Sequence, residues 1–151
     1  MTIDDEIAFL ARVPALGRLG DGALRSLAIA GETYSVQPGE VVFTAGDVAD
    51  GALVVQQGSL SLKSERGDEV MAGPGTLLGE LALLTETRRP ATATAREACT
   101  LFRLPRATFL KVLDSYPDAA QRLRDVYAAR TDQWAREMEN VRAALMQTRR
   151  P

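Results

Sequence analysis

The sequence contains no histidine. This removes at once the side chain most often used as general base, as metal ligand and as haem ligand. No catalytic residues, no metal and no cofactor are therefore expected, and no motif pairs a nucleophile with a base. The single cysteine, Cys99, excludes an intramolecular disulfide and cannot supply the four thiolates of an iron–sulfur cluster. Its setting, Ala98-Cys99-Thr100-Leu101-Phe102, suits a small buried side chain better than a redox sensor. No apolar run reaches the roughly 18 residues that a bilayer span requires. The first ten residues, MTIDDEIAFL, are acidic where a secretory signal would be basic. No membrane insertion is expected, and a cytoplasmic location follows. A basic face is missing as well: the net charge is -2 and the pI about 5.2, which argues against direct DNA binding.

With 46% hydrophobic residues in 151, the chain suits one domain built on its own core, residues 1–151. Asp4, Asp5 and Glu6 at the head of a pattern through Ile7 and Leu10 predict a first helix. Leu24, Leu27 and Ala28 predict a second over 21–30. From Thr33 the period changes to two, with Tyr34 and Val36, Val41 and Phe43, Leu53 and Val55, and Leu60 and Leu62 spaced as strand faces. Turns are expected at Pro38-Gly39, Gly46-Asp47, Gly58 and Gly67-Asp68. Ala91–Ala95 and Thr100–Leu104 read as further strands, and helices are expected to open at Pro105 and Pro117. The fold class is thus α+β: N-terminal helices over 1–32, an antiparallel β-roll of about eight strands over 33–104, and C-terminal helices over 105–151. Gly73-Pro74-Gly75 is read as a turn, because no Gly-Lys-Ser/Thr follows it.

The most informative run is LGELALLTETRRPATATA, Leu78 to Ala95. Gly79-Glu80-Leu81-Ala82-Leu83-Leu84 predicts a short helical turn, whose leading N–H groups can receive an anion. Arg89 adds a planar fork of donors that matches two phosphate oxygens, and Glu80 can only accept, which suits a sugar hydroxyl. Together they fit a cyclic sugar phosphate. An ordinary surface ion pair between Glu80 and Arg89 is the competing reading.

This run resembles the phosphate-binding cassette of the cyclic nucleotide-binding domain family, roughly Phe-Gly-Glu-Leu-Ala-Leu-Leu, three residues, then Pro-Arg-Ala-Ala-Thr. Leu78 takes the Phe place, Arg88 the Pro place, Arg89 the Arg place and Ala91-Thr92 the closing pair; Gly39, Gly46 and Gly58 hold the turn positions of that family's β-roll. The resemblance implies that Glu80 receives the ribose 2'-hydroxyl and Arg89 the cyclic phosphate. Amides near Leu81 and Ala91 would assist, and Leu78, Gly79 and Ala82 would shape the cassette, here residues 78–92. Pro90 departs from the pattern. It stands where the family has Ala, Ser or Thr, and it brings neither an N–H for the phosphate nor a hydroxyl that favours guanine. One charge-assisted hydrogen bond contributes about 1.5–3 kcal/mol, so its loss is expected to weaken binding roughly ten- to a hundredfold. Arg88 adds a positive charge beside the site, which partly offsets that loss.

Beyond Pro117 an apolar stripe of Leu123, Tyr127, Trp134, Met138, Val141 and Leu145 predicts a long final helix of about 45 Å at 1.5 Å per residue. The stripe needs a second surface, either a homodimer seam or the chain's own roll. Arg130 interrupts it. Resemblance to the bacterial cyclic nucleotide-gated potassium channels implies that Arg130 caps the purine, and an ion pair with Asp125 or Asp132 is the alternative. The expected function is a cyclic nucleotide sensor, cAMP over cGMP, whose C-terminal helix moves to signal to a protein partner or effector domain. The other class is a degenerate fold that binds no nucleotide and serves as a protein-interaction scaffold.

Overall fold

The structure, a computed structural model, describes residues 2–125. Arg130 and most of the apolar stripe lie outside the described residues, and so does the greater part of the expected final helix, whose helical backbone is described over 117–125.

Helix α1 (Ile3–Ala11) opens with a reciprocal cap. Thr2 Oγ1 accepts from the Asp5 N–H at 3.2 Å, and Asp5 Oδ2 accepts from the Thr2 N–H at 3.1 Å, so two otherwise orphaned donors are satisfied. Helix α2 (Asp21–Ala30) buries Ala23, Leu24, Leu27 and Ala28 on one face, as the spacing predicts. The strands follow as β1 (Glu32–Val36), β2 (Val41–Phe43), β3 (Val48–Ala49), β4 (Gly51–Gln57), β5 (Leu60–Ser64), β6 (Glu69–Ala72), β7 (Leu77–Leu78), β8 (Thr87–Arg88), β9 (Ala91–Ala95) and β10 (Cys99–Pro105), and helix α3 (Arg106–Ser115) closes the series. One sheet runs β1-β10-β4-β7 and a second β2-β9-β5-β6, with β3 and β8 as a two-stranded ribbon; all pairings are antiparallel.

These sheets and helices form the expected α+β roll, with ten strands among the described residues where about eight are expected. The surplus comes from strands of two residues, such as β3 and β8, which are too short to show a period. Two local expectations are also corrected. Val41 and Phe43 do not share one face: a register shift separates them in the ladder with β9, and Val41 is exposed while Phe43 is half-buried. The extra residue of such a bulge breaks the alternation. Pro105 ends β10 opposite Gly51 and caps α3, which begins at Arg106.

Strand β4 is buried from Gly51 to Gln56, because both of its faces are covered. Ala52 and Val54 join Phe102 and Leu104 of β10 in a core shared with Leu24, Leu27 and Phe109 of the helices. Val55 and Leu101 belong to a second core inside the roll, with Leu60, Ala93 and Cys99. Cys99 Sγ lies 3.2 Å from the carbonyls of Ser59 and Glu97 and is buried, the packing role expected of it.

Candidate functional site

The cassette begins where β7 ends. Gly79 has φ +81°, a conformation that side chains with a Cβ rarely adopt, and a Cβ there would lie 2.9 Å from the Gly51 carbonyl and strike the Arg89 guanidinium. Only glycine lets the cassette lie this close to β4. A 3-10 turn, Leu81–Leu83, follows. Its internal hydrogen bonds start with the Ala82 N–H on the Gly79 carbonyl (3.0 Å) and the Leu83 N–H on the Glu80 carbonyl (3.2 Å). Ala82 and Leu83 are buried and anchor the turn, while Leu81 is 56% exposed.

Arg89 is fixed from the backbone outward. Its N–H donates to the Asp47 carbonyl and its carbonyl accepts from the Gly46 N–H, each at 2.8 Å, so the Gly46-Asp47 turn grips it on both sides. The side chain is only 8% exposed, and its guanidinium carbon sits 4.5 Å from the centroid of the Phe43 ring, within cation–π range. Burial lowers its pKa from the ordinary value, against the stabilising charges of Asp50, Tyr34 and Asp47; an arginine remains a cation under such a shift. Nη1 is buried with no hydrogen-bond partner among the described residues. A buried donor without an acceptor costs about 1–3 kcal/mol.

Arg88 behaves differently. It is exposed, and its Nη1 donates to the Gly46 carbonyl at 2.9 Å, which braces the same turn. Pro90 is exposed and Ala91 starts β9. A cleft of about 80 Å³ brings together Leu78, Gly79, Arg88, Arg89, Pro90 and Ala91, with Phe43 and Leu62 among its walls. Glu80, Leu81 and Ala82 adjoin it through the turn without lining it, and Arg130 lies outside the described residues. A second cavity, of about 360 Å³, is lined by Arg89 together with Tyr34, Asp47, Asp50 and Arg103.

Phe43, Asp47 and Asp50 escaped sequence reasoning as site residues. The Gly46-Asp47 turn is legible in the sequence, but its grip on a backbone some forty residues away is a tertiary event that no local pattern announces. Among the described residues no group of three His, Cys, Asp or Glu side chains could hold a metal, and no helix is long and apolar enough to cross a membrane. The arrangement suits an anion: a buried cation with an unused donor, next to a short helical turn.

A β-roll flanked by helices, with a buried arginine beside a short helical turn between its strands, defines the class of domain. The profile of the cyclic nucleotide-binding domain family matches residues 34–116, and the chain belongs to that family. It is 34% identical over 97 residues, 64% of this chain, to a cAMP-dependent protein kinase regulatory subunit of Yarrowia lipolytica. It is 31% identical over 112 residues, 74% of this chain, to a cyclic nucleotide-gated potassium channel of Mesorhizobium japonicum. The aligned parts make up 26% and 31% of those proteins, so the chain spans about a quarter to a third of them. Among solved structures, the N-terminal domain of a transcriptional regulator from Streptomyces coelicolor A3(2) superposes with a TM-score of 0.77 at 30% identity, covering 86% of this chain and 94% of that one. A cyclic nucleotide-binding-like protein from Brucella abortus gives 0.65 at 31% identity, covering 74% and 99%.

Proposed function

We propose that this domain is a cyclic nucleotide sensor in which Arg89 takes the cyclic phosphate, Glu80 the ribose 2'-hydroxyl, and the leading amides of the cassette turn share the phosphate charge. The observation that carries this reading is the buried Nη1 of Arg89, without a hydrogen-bond partner among the described residues. An arginine kept for packing alone would be expected to satisfy its donors on nearby carbonyls. Leu78, Gly79 and Ala91 shape the cleft wall, and Ala82 holds the turn in place.

In this reading binding widens the cleft, which at about 80 Å³ is smaller than the roughly 300 to 1,000 Å³ of ligand pockets, toward the cavity of about 360 Å³ that Arg89 also lines. The guanidinium leaves the Phe43 ring for the phosphate, an exchange of a cation–π contact of about 0.5–2 kcal/mol for stronger charge-assisted bonds. That movement displaces the turn, and the C-terminal helix responds, provided its two positions bind the ligand unequally. Pro90 supplies no hydroxyl for guanine, which supports cAMP over cGMP, and the related kinase regulatory subunit belongs to a cAMP-dependent kinase. In this reading the domain performs no chemistry itself, works in the cytoplasm, pairs through its C-terminal helix and signals to a protein partner or effector domain.

Calorimetric titration of the ligand-stripped protein with cAMP and cGMP in parallel tests the reading. Saturable binding is expected for both, with cAMP the tighter. Preference for cGMP would refute the base assignment, and no binding by either at millimolar concentration would favour the scaffold reading.

A further inference from the structure

Arg106, the first residue of α3, differs from Arg25 and Arg103 in bridging several separate stretches of backbone. Arg25 and Arg103 reach exposed carboxylates, those of Asp4 and Asp50. Arg106 reaches main-chain carbonyls. Its Nη1 lies 3.2 Å from the Ala82 carbonyl, 3.0 Å from that of Thr85 and 3.2 Å from that of Ala49, and its own N–H donates to the Asp50 carbonyl at 2.7 Å. Ala82 and Thr85 stand at the trailing end of the cassette turn, where carbonyls have no further partner within the turn and a cation complements their partial negative charge. Ala49 and Asp50 belong to the junction of β3 and β4. One guanidinium thereby ties together the cassette turn, that junction and the start of α3.

The packing beneath it is correspondingly close. A Cβ on Gly51 would lie 2.9 Å from the Arg106 nitrogen, and the Gly51 carbonyl in turn blocks a Cβ on Gly79, which itself abuts Arg89. From Arg89 to the first turn of α3, the path therefore runs through two glycines with no side chain to absorb a displacement. We infer that Arg106 is the positioning residue that locks the trailing end of the cassette turn to α3, so that a shift of the turn is carried into that helix. The locking itself stands on geometry alone; the carrying of a ligand signal rests on the proposed nucleotide site.

Residue-resolved amide hydrogen exchange separates the two. Without nucleotide, Arg106→Ala is expected to speed exchange at Leu83, Leu84 and Thr85 roughly tenfold, the scale of losing a charge-assisted bond. Arg106→Lys, a point charge in place of a fork, is expected to give a smaller rise at the same amides, and Arg25→Ala none. Unchanged exchange at these three amides in Arg106→Ala would overturn the inference. If Arg106→Ala loses protection throughout, the lysine variant decides: a rise confined to 83–85 supports the lock and a uniform rise overturns it. With saturating cAMP, the wild type is expected to change exchange in both the turn and α3, and Arg106→Ala in the turn alone; an equal α3 response in the two would overturn the coupling. Failure of the wild type to bind cAMP would count against the nucleotide site and leave the first comparison to judge the lock.

Discussion

Gly79 and Arg89 constrain each other, and the pair shows how a backbone conformation can shape the proposed ligand site. A residue with a Cβ at φ +81° costs about 1–2 kcal/mol before any collision is counted, and here the methyl would also meet the Gly51 carbonyl and the guanidinium. Gly79→Ala is therefore expected to lower stability by about 2 kcal/mol or more, read as a lower urea midpoint with unchanged slope. An unaltered midpoint would contradict the packing described for this corner. Both residues were legible in the sequence through the cassette spacing. The Phe43 ring beneath Arg89 was not, because the bulge in β2 destroys the alternation that would have oriented it.

Among the elements, β6 shows electrostatics at a sheet edge. It is the outer strand of β2-β9-β5-β6, and its Glu69 accepts a 2.6 Å hydrogen bond from Ser61 of β5 and pairs with Arg96. The Ser61 bond, followed by Arg96, holds the Glu69 carboxyl below its ordinary pKa of 4.5. A carboxyl with a depressed folded pKa contributes stability that is fully present above the unfolded value and is lost as pH falls through the folded one. Glu69→Gln is thus expected to flatten the decline in stability below pH 4.5 and to leave the neutral-pH profile parallel to wild type, as measured by denaturation across pH. An equally steep acid decline in the variant would contradict this assignment. At this scale most strands were legible: β9 and α2 follow their periodicity to the residue, whereas β3 and β8, at two residues each, carry no period to read. The turn at Gly73-Pro74-Gly75 also holds, with the Gly75 N–H on the Val55 carbonyl at 2.8 Å.

At the scale of the whole molecule, β4 and β10 separate one core shared with the helices from another inside the roll. The cassette sits against this partition, since Leu83 belongs to the helix-side core and Leu78 packs on the roll-side core. Other ties join the helices to one another: Tyr116 Oη meets Ser26 Oγ at 3.2 Å, and Arg122 Nη1 donates to the carbonyls of Arg18 and Leu19 at 3.3 and 3.2 Å. The cassette thus contacts both cores. The α+β roll could be read from turn spacing and the change of period at Thr33; the division into two cores could not, because a strand buried on both faces shows only a continuous apolar run. The central claim is that Arg89 receives the phosphate, and paired calorimetric titrations of wild type and Arg89→Met with cAMP test it most directly. Saturable binding by wild type and at least a hundredfold weaker binding by Arg89→Met, roughly two charge-assisted bonds' worth, is the predicted result. Equal affinity in the variant, or no binding by the wild type, would contradict the account.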